Sequence, residues 1–152
     1  MSFHISKKIA EIDLEPNTSF VDALFFLQDI ISEDSDSKNN NKLCLIFDNF
    51  SQKMKSLECC KDFEQDAIFI LLYSSILLYN DIFDIKIKKK ITLQQFFKML
   101  KGCNSSKDFP EEFLKSIYEL INAKMDKQLD EKIEKNNKKS FCVILWKKWF
   151  NF

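Results

Sequence analysis

Few side chains in this sequence are of the types that form catalytic or metal-binding groups. It contains one histidine, His4, and one glycine, Gly102. A single histidine close to the N-terminus argues against a serine–histidine–aspartate or cysteine–histidine catalytic group. A zinc site would have to consist of cysteines alone, and a phosphate-binding or dinucleotide-binding loop needs several glycines. We therefore expect neither a metal nor another cofactor.

The cysteines favour a structural role in a reducing compartment. They are five in number, with no Cys-x-x-Cys spacing: Cys44, Cys59, Cys60, Cys103 and Cys142. An odd set without that spacing is typical of cytosolic proteins, and we expect these side chains to be buried fillers. The polar segment Met1 to Ala10 does not resemble a signal peptide. The longest uncharged run, Ala67 to Asn80, has 14 residues and is too short to span a bilayer. These features predict a cytoplasmic protein.

The charges are balanced, with 23 basic and 23 acidic residues. All the basic residues are lysines, because the sequence contains no arginine. Nucleic-acid binding normally needs a basic surplus for the phosphates, and arginine provides the commonest specific contact with guanine. We therefore expect no nucleic-acid partner.

The length of 152 residues and the scarcity of breakers predict one all-α domain. Residues 1–17, which contain Pro16, are predicted to be an irregular arm. A helix is predicted from Asn17 or Thr18 to Ile31, a loop over 32–41, and a second helix from Lys42 to Leu57. A third helix, from Asp62 or Phe63 to about Asn80, is apolar nearly all round and is predicted to lie at the centre of the core.

Local capping signals organise the rest of the chain. Thr92 to Gln95 is a capping box that opens a short helix, and Gly102 suits the left-handed residue that ends it. Asp108 and Pro110 are predicted to start a further helix that continues to about Lys135. Residues 136–140 are predicted to break it. The predicted organisation is an arm over 1–17, a helical domain over 18–135 and a basic, aromatic tail over 136–152.

Three consecutive segments resemble a known family. They read AIFILLYSSILLYNDIFD (67–84), ITLQQFFKMLKGCN (91–104) and DFPEEFLKSIYELI (108–121). Their order and spacing are similar to the second half of a Sec7 domain, the helical module of guanine-nucleotide exchange factors for Arf-type small GTPases. The resemblance covers roughly 12–123, and the first helices of a usual Sec7 domain have no counterpart. It implies an all-α fold, a compact right-handed array of five to six helices.

The resemblance also implies a groove that receives the switch regions of a GTPase. Its matching positions on the core helix are Phe69, Tyr73, Ile76 and Leu77, whose spacing places them on one helical face. The remaining candidate groove residues are Tyr79, Asn80, Phe83 and Met99. From spacing alone, the same face would equally be interpreted as part of the core.

Two acids correspond to residues that act close to the nucleotide in that family. Its members use a glutamate on a loop to repel the β-phosphate and displace magnesium. Here Glu33 is the nearest glutamate, and the Pro-Gly turn that would hold such a loop is missing. Asp81 matches the aspartate of the family's second motif, in which Tyr79 and Phe83 replace an asparagine and a histidine.

The tail offers a different kind of contact. Trp146, Lys147, Lys148 and Trp149 combine aromatic and basic side chains, as at the interface of an anionic membrane. The alternative is that the tail packs on the helical domain.

Together these features predict a divergent Sec7-like exchange factor that binds an Arf-type GTPase in vesicle traffic. It would be cytoplasmic or peripheral on Golgi or endosomal membranes. The alternatives are a Sec7-like binding or scaffolding module without exchange activity, and an unrelated helical interaction protein. An exposed groove in a domain without its first helices could also support a homodimer.

Overall fold

The computed structural model describes the backbone of residues 2–33 and 40–150, and the side chains of 7–33 and 41–135. Six α-helices account for most of these residues, which confirms the all-α prediction. They are α1 (Ser2–Glu11), α2 (Phe20–Glu33), α3 (Asn40–Met54), α4 (Gln65–Phe83), α5 (Leu93–Met99) and α6 (Glu111–Phe150), with a 3-10 turn at Glu58–Cys60 between α3 and α4.

Helix α4 is the central element, as its composition predicts. It contacts α2, α3, α5 and α6, and its side chains Ile68, Leu71, Leu72 and Leu78 are fully buried. By length and composition alone, this one helix of the described chain could cross a membrane, but half of the segment is buried within the fold. A core helix surrounded by four others has that composition because it has little surface to expose to water.

Helix α2 begins slightly later than the sequence predicts. The Ser19 hydroxyl accepts a hydrogen bond from the N–H of Asp22 at 3.1 Å. Ser19 is therefore the N-cap, rather than Asn17 or Thr18, because its side chain satisfies a free N–H of the first turn.

The N-terminal arm proved to be a helix, so the prediction of irregular structure over 1–17 is wrong for its first part. Ile9 of α1 is buried, and α1 packs against α3. Lys53 of α3 donates hydrogen bonds to the carbonyls of Ala10 and Ile12 at 2.8 and 3.2 Å. A lysine at this end satisfies the last carbonyls of α1 and interacts favourably with the helix dipole.

Helix α5 and the turn after it follow the predicted local chemistry. Thr92 and Gln95 form the complete capping box, and Gly102 has a φ of +71°. Asp108, predicted to cap α6, instead accepts a hydrogen bond from the N–H of Gly102 at 2.7 Å. The first turn of α6 is closed by the carbonyl of Pro110, which accepts from Leu114 at 3.1 Å.

Helix α6 is much longer than predicted and runs without a break through residues 136–140. Asn136 and Asn137 are poor helix formers, but the segment contains neither proline nor glycine. The side chains of residues 136–152 lie outside the described part, including Trp146, Lys147, Lys148 and Trp149.

Candidate functional site

An apolar strip on α4 faces solvent. Ile70, Tyr73 and Leu77 are 38%, 46% and 41% exposed, whereas their neighbours on the helix are mostly buried. Their spacing of three and four residues places them on one face. We call these three residues the α4 strip. Large apolar side chains grouped in this way on a surface are typical of an interaction site.

Two other predicted groove residues are less exposed than the strip. Ile76 is only 7% exposed, so it belongs to the core and does not line a groove. Phe69 is half-buried, and the ring of Phe47 on α3 makes edge-to-face contacts with both Phe69 and Tyr73, at centroid distances of 6.1 and 5.7 Å. These contacts hold Tyr73 in place because such aromatic pairs have preferred geometries.

Tyr79 and Phe83 lie on a different side of α4, facing α2. Their rings stack at a centroid distance of 4.2 Å, and Phe25 of α2 packs against Tyr79 at 5.9 Å. Lys124 of α6 lies over the Phe25 ring, 3.6 Å from its centroid. Burial raises the pKa of the Tyr79 hydroxyl, and the negative charge of Asp29 adds to this effect. These two groove candidates therefore form a packed cluster between three helices.

Asp81 holds the connection between α4 and α5. Its carboxylate accepts a hydrogen bond from the N–H of Ile91 at 2.7 Å, and its carbonyl accepts one from Lys90 Nζ at 2.7 Å. The Tyr118 hydroxyl donates to the Ile91 carbonyl at 2.9 Å. Both backbone polar groups of Ile91 are thus satisfied by side chains from other elements. Through these bonds, Asp81 fixes the position of the connection that leads into the capping box of α5.

A pocket of about 640 Å³ lies beside this connection. It is lined by Ile91 and Met99 together with four polar side chains: Lys89, Lys90, Gln95 and Lys98. Met99 is 39% exposed. Leu77 precedes Asp81 by one helical turn, and Asp81 bonds to Ile91, so the α4 strip and this pocket lie on neighbouring parts of the surface. Asn80, at the end of the strip, is exposed as well.

Glu33 lies at the end of α2 and is engaged in an ion pair. Its carboxylate is 3.3 Å from Lys8 Nζ of α1, and both side chains are largely exposed. Residues 34–39, with the neighbouring acids Asp34 and Asp36, lie outside the described part. Nothing in the described structure brings Glu33 into contact with the α4 strip.

The two adjacent cysteines share a hydrogen bond. Their sulfurs are 3.7 Å apart, Cys59 being half-buried and Cys60 buried. The bond from Cys60 lowers the pKa of Cys59 to about 7, and the same bond, with burial, raises the pKa of Cys60. Cys44 is exposed, so it is not the buried filler we expected. No group of three or more His, Cys, Asp or Glu side chains in the described residues could hold a metal ion.

Sequence reasoning missed Ile70 as part of the strip, as well as the lysines of the pocket. The spacing of three and four residues between Ile70, Tyr73 and Leu77 could have identified Ile70, because residues so spaced share one face of a helix. The pocket lysines come from the connection and from α5, which only the folded structure places side by side.

Comparison with known proteins gives a consistent result over most of the chain. Residues 16–125 match the family model described as Sec7 domain. The rat protein "Brefeldin A-inhibited guanine nucleotide-exchange protein 1" is 44% identical over 59 residues, which are 39% of this chain and 3% of that protein. The chain thus corresponds to a small part of this curated relative.

Two solved structures show the same fold. The first, "Crystal structure of Sec7p catalytic domain", has a TM-score of 0.67 and 24% identity, over 78% of this chain and 61% of that one. The second, "Structure of ARF1-GDP bound to Sec7 domain complexed with Brefeldin A", has a TM-score of 0.63 and 24% identity, over 80% and 60%.

Proposed function

Because the chain belongs to the Sec7 domain family, we propose that it binds an Arf-type small GTPase through the α4 strip and promotes release of its GDP. The exposed strip is the observation that carries this proposal. In a monomeric helical domain of this size, an apolar face on the central helix would normally be covered. The solved complex of a Sec7 domain with ARF1-GDP supports the class of partner.

The strip suits a partner that offers a loop or a helix. Tyr73 is half exposed and its ring is held by Phe47, so little side-chain freedom is lost when it is buried by a partner. Tyrosine at the centre of an interface contributes disproportionately to affinity. Leu77 and Ile70 would extend the apolar contact by about one turn on either side.

Nucleotide release requires a negative charge close to the phosphates and magnesium. Glu33 is the candidate for this role, by the family resemblance. A carboxylate placed there would repel the β-phosphate and compete for the metal. In this structure the carboxylate is paired with Lys8, so that pair would have to open during exchange. An exposed ion pair of this kind contributes only about 0–1 kcal/mol and opens easily.

The test is release of fluorescent GDP from a purified Arf-type GTPase, measured together with binding. We expect the chain to bind and to accelerate release. Tyr73→Ala should weaken binding about tenfold or more, whereas Leu45→Ala, which removes an exposed side chain on α3, should change it little. Absence of binding, or equal effects of both substitutions, would contradict the proposed site.

The second candidate is a binding module without exchange activity. The missing Pro-Gly turn favours it, because without that turn the sequence offers no rigid support for Glu33, whose described partner is Lys8. Binding without faster release, unchanged in Glu33→Ala, would select this function. If Glu33 acts in exchange, Glu33→Ala should slow release without weakening binding, and Lys8→Ala should leave release intact or faster.

The cellular setting is a further part of the proposal: action in vesicle traffic, from the cytoplasm or at Golgi or endosomal membranes. The support for it is the kind of relative matched by the chain. The tail residues Trp146, Lys147, Lys148 and Trp149 remain predicted membrane contacts, and the homodimer remains a prediction too. Sedimentation of the purified chain would distinguish monomer from dimer.

A further inference from the structure

The connection between α4 and α5 presents an apolar tip surrounded by lysines. Ile85 is 85% exposed, the highest value among the exposed large apolar side chains of the described residues, and Ile87 is 36% exposed. Lys86, Lys88 and Lys89 are exposed as well. We call residues 85–89 the basic loop. Ile85 contributes nothing to the core, and together with Ile87, two residues further along, it forms a small exposed apolar tip.

The basic loop is held firmly at both of its ends. At its start, Asp84 accepts from the N–H groups of Lys86 and Ile87, at 2.9 Å through its carboxylate and 3.1 Å through its carbonyl. At its end, Lys90 donates to the carbonyls of Asp81 and Asp84, and Ile91 is bonded to Asp81. A segment ordered before binding loses less conformational entropy when it docks.

The positive charge of the loop is not neutralised locally. Within the described residues, no ion pair involves Lys86, Lys88 or Lys89. The carboxylates of Asp81 and Asp84 offset part of this charge, but residues 81–91 carry four lysines against these two acids, so the connection keeps a positive surplus. Lys98 of α5 extends the basic surface, since it lines the same pocket as Lys89.

We propose that the basic loop and Lys98 dock on the surface of an anionic lipid bilayer, with Ile85 entering the interface between headgroups and acyl chains. A bilayer satisfies both features, because lysines near an anionic leaflet are attracted to it and an apolar tip gains by leaving water. A protein partner is less suited to this surface, because protein interfaces depend on tryptophan, tyrosine and arginine anchors. The basic loop has none of these, and although its surface lies next to the α4 strip, it includes no residue of the strip.

The experiment uses the full chain and vesicles, without any GTPase, so its outcome is independent of the proposed exchange function. Co-sedimentation is measured with phosphatidylcholine vesicles and with vesicles of equal parts phosphatidylcholine and phosphatidylserine. We expect binding only to the anionic vesicles, weakening as salt is raised. The triple variant Lys86→Gln/Lys88→Gln/Lys89→Gln should bind at least about tenfold more weakly, since each lysine contributes several-fold.

A matched control removes the same charge elsewhere. Lys7, Lys107 and Lys127 are exposed, and no described ion pair includes them. The variant Lys7→Gln/Lys107→Gln/Lys127→Gln should therefore bind nearly as the parent does. If both triple variants lose affinity equally, net charge alone drives the binding, and the proposal fails.

Two further variants test the apolar tip and the tail. Ile85→Ser should weaken vesicle binding several-fold, whereas Leu45→Ser, at an exposed position on α3, should not. If Trp146→Ala/Trp149→Ala abolishes binding while the loop variant keeps it, the tail is the contact and the proposal fails. The proposal is equally overturned if the parent chain binds neutral and anionic vesicles alike, or neither.

Discussion

The ends of α2 and α4 differ in the side-chain contacts that hold them. The connection after α4 is fixed by Asp81 of α4 and Tyr118 of α6, which bond to the backbone of Ile91, and by its own Lys90, which bonds to the carbonyls of Asp81 and Asp84. At the end of α2, the contacts of polar side chains among the described residues are the exposed Lys8–Glu33 ion pair and the bond from Ser32 to the carbonyl of Asp29. Buried or charge-assisted bonds to backbone groups stabilise much more than exposed ion pairs.

This difference separates the connection after α4 from the end of α2, where the family resemblance places the candidate glutamate. Asp81, which matches the second motif of the family, and Gly102 and Tyr118, which lie in the resembling segments 91–104 and 108–121, all make hydrogen bonds that support the fold. The glutamate position, by contrast, has no comparable support within the described residues. A fold can be kept while its chemistry changes, since function depends on the site and not on the architecture.

The largest expected effect separates a phenylalanine of α5, the helix that follows the connection, from a phenylalanine of α2. Phe96 of α5 is fully buried and its ring packs near Tyr118, whereas Phe26 of α2 is 46% exposed. We expect Phe96→Ala to lower the free energy of unfolding by about 3–5 kcal/mol because it leaves a cavity. Phe26→Ala should lower it by less than about 1 kcal/mol. Denaturant unfolding of both variants measures the difference, and similar losses would contradict the contrast.

The next test removes the carboxylate that holds Ile91. Asp81→Ala leaves the Ile91 N–H without its partner at 2.7 Å, and we expect a loss of about 2 kcal/mol in unfolding free energy. Asp81→Asn keeps an acceptor oxygen and should lose less. Tyr118→Phe, which removes the bond to the Ile91 carbonyl, should cost about 1 kcal/mol. If Asp81→Ala leaves stability unchanged but abolishes GDP release, Asp81 acts in exchange and not as a positioning residue.

The features that sequence predicted well depend on local chemistry. The capping box of Thr92 and Gln95 and the left-handed Gly102 need only neighbouring residues to form, so their residue types identify them. The centrality of α4 followed from its composition. The resemblance to Sec7 domains was also confirmed, by the match of the family model over residues 16–125.

The features that sequence missed depend on tertiary contacts. Helix α1 is stabilised by Ile9 against α3 and by Lys53 at its end, and short helices form mainly through such packing. Ile76 and Leu77 are adjacent and equally apolar, yet one is buried and the other exposed. Periodicity places both near one face, but only the packing of the helices around α4 decides which of them reaches solvent.

A smaller effect concerns the capping box. Thr92→Ala removes the hydroxyl that accepts from the Gln95 N–H at 3.2 Å, and we expect a loss of about 1 kcal/mol in unfolding free energy. The matched control is Ser32→Ala at the end of α2, where the hydroxyl donates to the Asp29 carbonyl at 2.9 Å on an exposed surface. That carbonyl is open to water, so we expect less than about 0.5 kcal/mol. Thermal unfolding measures both losses, and a larger one for Ser32→Ala would reverse the contrast between the two regions.

The smallest expected effect is the coupling free energy of the Lys8–Glu33 pair. Its size decides how easily the Glu33 side chain can separate from Lys8 of α1. A double-mutant cycle of Lys8→Ala and Glu33→Ala isolates the interaction. Because both side chains are largely exposed, we expect a coupling free energy below about 1 kcal/mol that falls as salt is raised. Such a weak pair would leave Glu33 available to a GTPase. A coupling well above that value, insensitive to salt, would mean that Glu33 is a structural residue of the α1–α2 contact, and it would favour the binding module without exchange activity.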